Sequence, residues 1–193
     1  MRSCALLFAM LAACGGDYAA GDDFDFSDEG WELVTSFPGP TMSLVKDDVT
    51  GLAPYICGSD TGFSGGARWQ FRAPAKYTGN MGRAFRQRLT WQAMTTFQSG
   101  RLYAENDLLM IGRGMTLVTT VPDTPRATRK WAQFSVFLDA RTPWRVEGMV
   151  GSPLATDDEI QTVLRTLTDL QLPGEWRDGA ETSCIDLVYF GTP

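Results

Sequence analysis

Residues 156–190, TDDEIQTVLRTLTDLQLPGEWRDGAETSCIDLVYF, constrain the fold most tightly, because three kinds of local signal agree within them. Thr156 followed three positions later by Glu159 forms a capping box, and Asp157 and Asp158 place negative charge where the exposed amides of a first helical turn favour it. Ile160, Val163, Leu164 and Leu167 then recur at helical spacing, so one apolar stripe must be covered by something large. Pro173 and Gly174 limit any helix, and Leu170 and Leu172 take the inward positions of a short strand. After an acidic loop, residues 184–190 alternate and are rich in β-branched and aromatic side chains, which predicts a strand with a buried face. One helix and two strands therefore share a core.

The rest of the chain reads as short strands and turns. Residues 24–37 predict a strand, a turn at Glu29-Gly30 and a second strand led by Trp31. Residues 38–66, rich in Gly, Pro, Ser and Asp, predict loop. Residues 68–72 alternate charge with aromatics and stop before Pro74, and residues 76–85 form a turn-rich connection. Further strands are predicted over 88–97, 107–111, 115–121, 131–138 and 144–146, with a hairpin turn at Gly112-Arg113-Gly114. The class is all-β, and a β-sandwich with one late helix follows from that succession. Histidine is absent from all 193 residues, which removes Ser-His-Asp and Cys-His nucleophiles, imidazole proton shuttles and His-ligated metals.

The amino-terminal residues carry a targeting signal. Arg2 precedes a short apolar run, and Leu11-Ala12-Ala13-Cys14 ends it with small residues before a cysteine. The run is too short to span a bilayer. LAAC resembles the lipobox of bacterial lipoproteins, which implies cleavage before Cys14 and acylation of that residue. Several acyl chains on one residue anchor a protein stably. The expected organisation is a signal over 1–13, a polar tether over 14–23 and one domain over 24–193. Its expected location is the bacterial cell envelope, on the outer membrane. Cys4 leaves with the signal, so Cys57 and Cys184 remain in an oxidising compartment where they are expected to pair. In the chain-entropy model such a long closed loop is worth roughly 4 to 5 kcal/mol.

A second resemblance covers residues 24–190. Gly30-Trp31, then Trp69-Gln70-Phe71-Arg72-Ala73-Pro74 with Tyr77-Thr78-Gly79-Asn80, then Leu89-Thr90-Trp91 is similar to the first half of a laminin IV type A (laminin B) domain. The run from Asp107 to Gly114, the run Phe134 to Leu138 with Trp144, and the helix with its two following strands resemble the second half. The resemblance implies a jelly-roll β-sandwich, similar to carbohydrate-binding modules, and a non-catalytic binding or adhesion role. The cysteine-rich modules that flank this domain in laminins are missing, so assembly into a laminin-like network is not implied.

Charge falls in blocks: ten acids and one base over 14–67, thirteen bases and four acids over 68–145, nine acids and two bases over 146–193. In a jelly roll the first and last strands interleave with the middle ones, so these blocks are expected to meet as cross-strand pairs rather than to form a basic surface. Nucleic acid is not an expected partner. Asp25, Asp28 and Asp186 resemble the place where carbohydrate-binding jelly rolls often hold calcium, an ion that prefers hard oxygen ligands, so two readings stand: a structural calcium there, or a solvated loop and an edge charge. Tyr77, Tyr103 and Trp176 lie near turns and are the aromatics expected to meet a ligand; Trp69, Trp91, Trp131 and Trp144 are expected in the core. The expected partner is a glycan or an envelope protein. Two alternatives are a structural subunit of an envelope complex and a glycoside hydrolase using Asp107 and Asp139.

Overall fold

The computed structural model describes residues 18–25, 27–35, 41–45, 54–60, 68–97, 107–121, 130–147 and 151–192. Two antiparallel sheets pack face to face. The first contains β1 (Ala20–Asp22), β3 (Thr41–Val45), β4 (Tyr55–Ser59), β6 (Arg88–Phe97), β9 (Ala132–Phe137) and β12 (Glu181–Thr192). Its order is β3-β4-β12-β6-β9, with β1 also paired to β12. The second runs β10 (Arg145–Val146), β8 (Met115–Thr120), β7 (Asp107–Gly112), β11 (Leu167–Pro173), β5 (Trp69–Arg72) and β2 (Glu32–Thr35). Helix α1 (Asp157–Arg165) lies against β7 and β8.

Alternation explains the core. Leu89, Trp91 and Ala93 of β6, Phe134 and Val136 of β9 and Ile185 of β12 face inward from one sheet; Trp69, Phe71, Leu108, Met110, Leu117, Leu170 and Leu172 meet them from the other. The capping box is formed: Glu159 N–H donates to Thr156 Oγ1 while Thr156 N–H donates to Glu159 Oε2 at 2.7 Å. Ile160, Val163, Leu164 and Leu167 are all buried, as the stripe requires. The β7–β8 connection needs left-handed backbone at two successive residues, and Arg113 and Gly114 supply φ of 50° and 72°. The expected disulfide is present: Cys57 and Cys184 stand directly opposite each other on β4 and β12, 127 residues apart in sequence.

Three expectations are corrected. Phe24, Asp25, Ser27 and Asp28 are not in a strand: Phe24 has φ of 54° and its buried ring packs 6.1 Å edge-on from Trp31, so Phe24 is a buried anchor rather than a strand position. The strand lies earlier, at Ala20–Asp22 inside the expected tether, where pairing with Val188–Phe190 overrides weak propensity. Residues 41–45 and 55–59 within the expected loop form β3 and β4, β4 paired to β12 and β3 to β4, despite their Gly- and Pro-rich flanks. The charge blocks do meet as pairs. Arg72 lies opposite Glu32 across β2 and β5 and bonds Asp169 on β11 at 3.2 Å, and Lys76 pairs with Asp22 and with Glu29.

The two sheets lock around Trp69. Its indole N–H donates to Asp60 Oδ2 at 2.9 Å, and its ring occupies the space that a side chain at Gly58 or Gly174 would need, 2.5 and 2.2 Å from the respective Cβ positions. Gly58→Ala should therefore cost about 2 kcal/mol, the usual penalty for overpacking, read as a lower denaturant midpoint at unchanged slope. An unchanged midpoint would show that the indole has room to move.

Candidate functional site

The outer face of the second sheet carries a groove lined by polar side chains. Along β7 the inward residues alternate with Asp107, Leu109 and Ile111, which face out. Beside them stand Val118 and Thr120 of β8, Arg145 of β10, Asp169 and Gln171 of β11, and Gln70 and Arg72 of β5. Pro143, Glu147 and Ser152 rim a groove of about 490 Å³ at the β10 end, floored by Asp107 and residues 118–120. Its polar groups orient one another. Arg145 Nη1 donates to Ser152 O at 2.9 Å, Arg68 pairs with Asp107 at 3.5 Å, and Gln70 Nε2 donates to Asp107 O at 3.0 Å. Further along, Asp169 Oδ2 accepts from Arg72 Nε at 3.2 Å and from Gln171 Nε2 at 2.8 Å. Planar carboxylates, amides and guanidinium groups in a fixed row suit a polyhydroxylated ligand, which offers paired donors and acceptors. Among the described residues the strands of this face turn no tyrosine or tryptophan outward, and what these strands present to a ligand is hydrogen bonding.

The expected ligand-binding aromatics lie elsewhere. Tyr77 is fully buried, its hydroxyl donates to Val188 O at 3.0 Å, and its ring sits edge-on to Trp31; burial raises its pKa well above that of a free tyrosine. Trp176 is also fully buried and stacks on Phe134 at 5.3 Å, with Trp91 on the ring's far side. Proximity to a turn in sequence did not mean exposure, because both turns fold back under the sandwich. Tyr103 and Cys14 fall outside the described residues. The half-buried rings on the outer side of the first sheet are instead Tyr55 with Trp131, and Tyr18 with Tyr189. Gly21 makes room for the second pair: a Cβ there would lie 2.8 Å from Tyr189 and 2.9 Å from Tyr18.

The two carboxylates weighed as hydrolytic machinery do not come together. Asp107 lines the groove on the second sheet, whereas Asp139 follows β9 of the first and lines a different depression with Arg86 and Arg141. Arg141 grips Asp139 through Nε and Nη2, and these hydrogen bonds hold its carboxyl below the ordinary range, opposite to what a general acid needs.

The carboxylates expected to hold calcium are only partly assembled. Asp28 is exposed and receives the N–H of Gly30, a turn-capping role. Asp186 is 4 % exposed and sits at a bulge in β12, next to Leu187 with φ of 48°. Burial first, then the like charges of Asp23 and Asp25, push its pKa up to about 7, although it accepts the Leu187 N–H at 2.7 Å. A buried carboxylate repelled by two others is what a divalent cation relieves. Among the described residues, however, no three such side chains converge closely enough to hold an ion by themselves.

Comparison with known proteins gives a consistent picture. The sequence profile described as Laminin B (Domain IV) matches residues 70–192. No curated protein matches the sequence. Among solved structures, the L4b domain of human laminin alpha-2 superposes with a TM-score of 0.60 at 10 % identity, covering 84 % of this chain and 97 % of that one. The family 11 carbohydrate-binding module from Clostridium thermocellum, solved with a beta-1,3-1,4-mixed-linked tetrasaccharide, gives 0.54 at 12 %, covering 90 % and 98 %. A family 22 carbohydrate-binding module of Clostridium thermocellum gives 0.54 at 10 %, covering 92 % and 96 %. At these identities the likeness is one of fold, and it bears out the jelly-roll sandwich.

Asp186 generates a pH prediction. Its folded pKa lies above the ordinary 3.8, so the folded state binds the extra proton and the group's penalty grows as pH rises from about 4 to 7. Without divalent cations, stability in denaturant should fall over that window by at most about 4 kcal/mol from this group, and Asp186→Asn should remove that part of the slope. Identical slopes in the two proteins would assign the titration elsewhere.

Proposed function

Because the chain belongs to the laminin B (domain IV) family, we propose that it is a non-catalytic binding module that seats a glycan along the outer face of its second sheet. The observation that carries this reading is the groove itself, in which Arg145 is held by Ser152 and Asp107 by Arg68, with Gln70 and Asp169 held in the same way on the strands beside it, so that these groups are ordered before a ligand arrives. The fold shared with carbohydrate-binding modules supports it, and so does the row of planar polar groups in place of a deep apolar pocket. The absence of histidine and the separation of Asp107 from Asp139 favour binding over hydrolysis.

The LAAC sequence ending at Cys14 places the module, in this reading, on the outer membrane of a bacterial envelope through acyl chains on that cysteine. A calcium ion belongs to the same reading. Asp186 would be its carboxylate ligand, Asp23 and Asp25 would add negative charge without converging on the ion, and Asp28 would not take part. Its chemistry there is charge neutralisation between the two ends of the chain.

Two measurements test the proposal. On a glycan array, the protein should bind a polysaccharide that Arg145→Ala binds about tenfold more weakly, a loss of about 1.4 kcal/mol, with no change in melting temperature because Arg145 is exposed. Silence across the array, with an envelope protein captured instead by cross-linking in cells, would favour the structural-subunit reading, and hydrolysis of the bound polysaccharide would overturn the non-catalytic one. Millimolar calcium at pH 8 should raise the melting temperature by several degrees in the native chain and not in Asp186→Asn. Equal shifts in both would remove the ion from this site.

A further inference from the structure

The chain enters the first sheet at the end where β12 leaves it: Ala19 N–H donates to Phe190 O at 2.6 Å, and Ala20 pairs with Phe190. Four arginines gather at that end. Arg83 Nη2 donates to the carbonyls of Tyr18 and Ala19 at 3.1 and 3.0 Å. Arg88 opens β6 opposite Thr192 and Phe137. The guanidinium carbons of Arg88 and Arg141 stand 4.2 and 3.8 Å from the centre of the Phe137 ring, and that of Arg86 stands 5.2 Å from Phe85. Arg141 Nη2 also donates to Arg86 O at 2.8 Å, which together with the shared Phe137 ring links Arg86, Arg88 and Arg141.

Two of these guanidinium groups are ion-paired yet remain exposed. The side chains of Arg86 and Arg141 are 71 % and 53 % exposed, whereas the Asp139 side chain lies beneath Arg141 at 6 %. Asp157 reaches Arg86 at 3.8 Å, and Asp158 in the same helical turn bounds the patch. Four guanidinium groups at one end are notable in a chain of net charge −6.

Tyr18 follows Cys14 by four positions, a span of at most about 14 Å when fully extended. If Cys14 is acylated, this end is held within a length comparable to the roughly 8 Å over which exposed charges are felt at physiological salt. We propose that the pole formed by Arg83, Arg86, Arg88 and Arg141 docks on the anionic headgroups of the anchoring membrane and so fixes the orientation of the domain. The proposal rests on the lipid-anchor reading. Arginines over phenyl rings suit the occupant: the rings sit at headgroup depth while the cations meet phosphate.

The test uses the protein extracted from bacterial membranes, with mass spectrometry of the peptide bearing Cys14, then reconstituted into vesicles of phosphatidylcholine alone or mixed with phosphatidylglycerol. Hydrogen exchange over residues 83–88 and 137–142 should slow about threefold or more in the phosphatidylglycerol vesicles, and salt raised to about 0.5 M should erase the difference. Arg86→Gln, a substitution at an exposed side chain, should reduce the protection. An unacylated Cys14 overturns both the anchor and the docking. Acylation with equal exchange in the two vesicle types, or protection that survives salt, overturns the docking alone.

Discussion

Backbone hydrogen bonding along β12 holds the first sheet together, because its residues are paired on both edges: β6 along one, and β4 followed by β1 along the other. The disulfide at Cys57 and Cys184 fastens β4 to it at one register, and a slip of one residue would turn Ile56 and Ile185 out of the core. The change of partner from β4 to β1 falls at Asp186 and Leu187. There the strand bulges, its backbone turns left-handed, and Asp23 and Asp25 arrive beside a buried carboxylate. The acidic cluster is a consequence of how one strand is shared by three neighbours.

The second sheet solves a different problem. Its inner face supplies Trp69, whose ring fits only because Gly58 and Gly174 lack side chains, so the approach of the sheets is set by glycine on one side and indole on the other. Its outer face mixes Leu109, Ile111 and Val118 with polar residues, several of which pair across strands. Arg72 between Glu32 and Asp169 joins the first, middle and last thirds of the chain. The basic block is thereby largely neutralised wherever strands interleave. Where the strands end, Arg83, Arg86, Arg88 and Arg141 gather, with Arg86 and Arg141 in ion pairs to Asp157 and Asp139.

Much of the outer face of the second sheet was legible as pattern. Gln70 and Arg72 alternate with Trp69 and Phe71, and Asp107 leads an alternating run, so their outward direction follows from strand periodicity. Their joining into one surface was not legible, since β10, β8, β7, β11 and β5 are brought together by pairings with no local trace. The same limit misplaced Tyr77 and Trp176. A residue beside a turn is exposed only if nothing folds over it, and here Val188 and Phe134 do.

The sequence by itself determined the elements whose signals are local. These are the capped helix with its apolar stripe, the Arg113–Gly114 turn and the alternating strands such as Arg88–Phe97, because capping, left-handed backbone and side-chain alternation act over a few residues. Only the tertiary structure decided that Ala20–Asp22 is a strand, that Asp186 is buried beside Asp23 and Asp25, and that the arginines meet where the chain enters the sheet. Those outcomes depend on hydrogen bonds and burial between segments far apart in the chain, and long-range pairing energy overrides weak local preference.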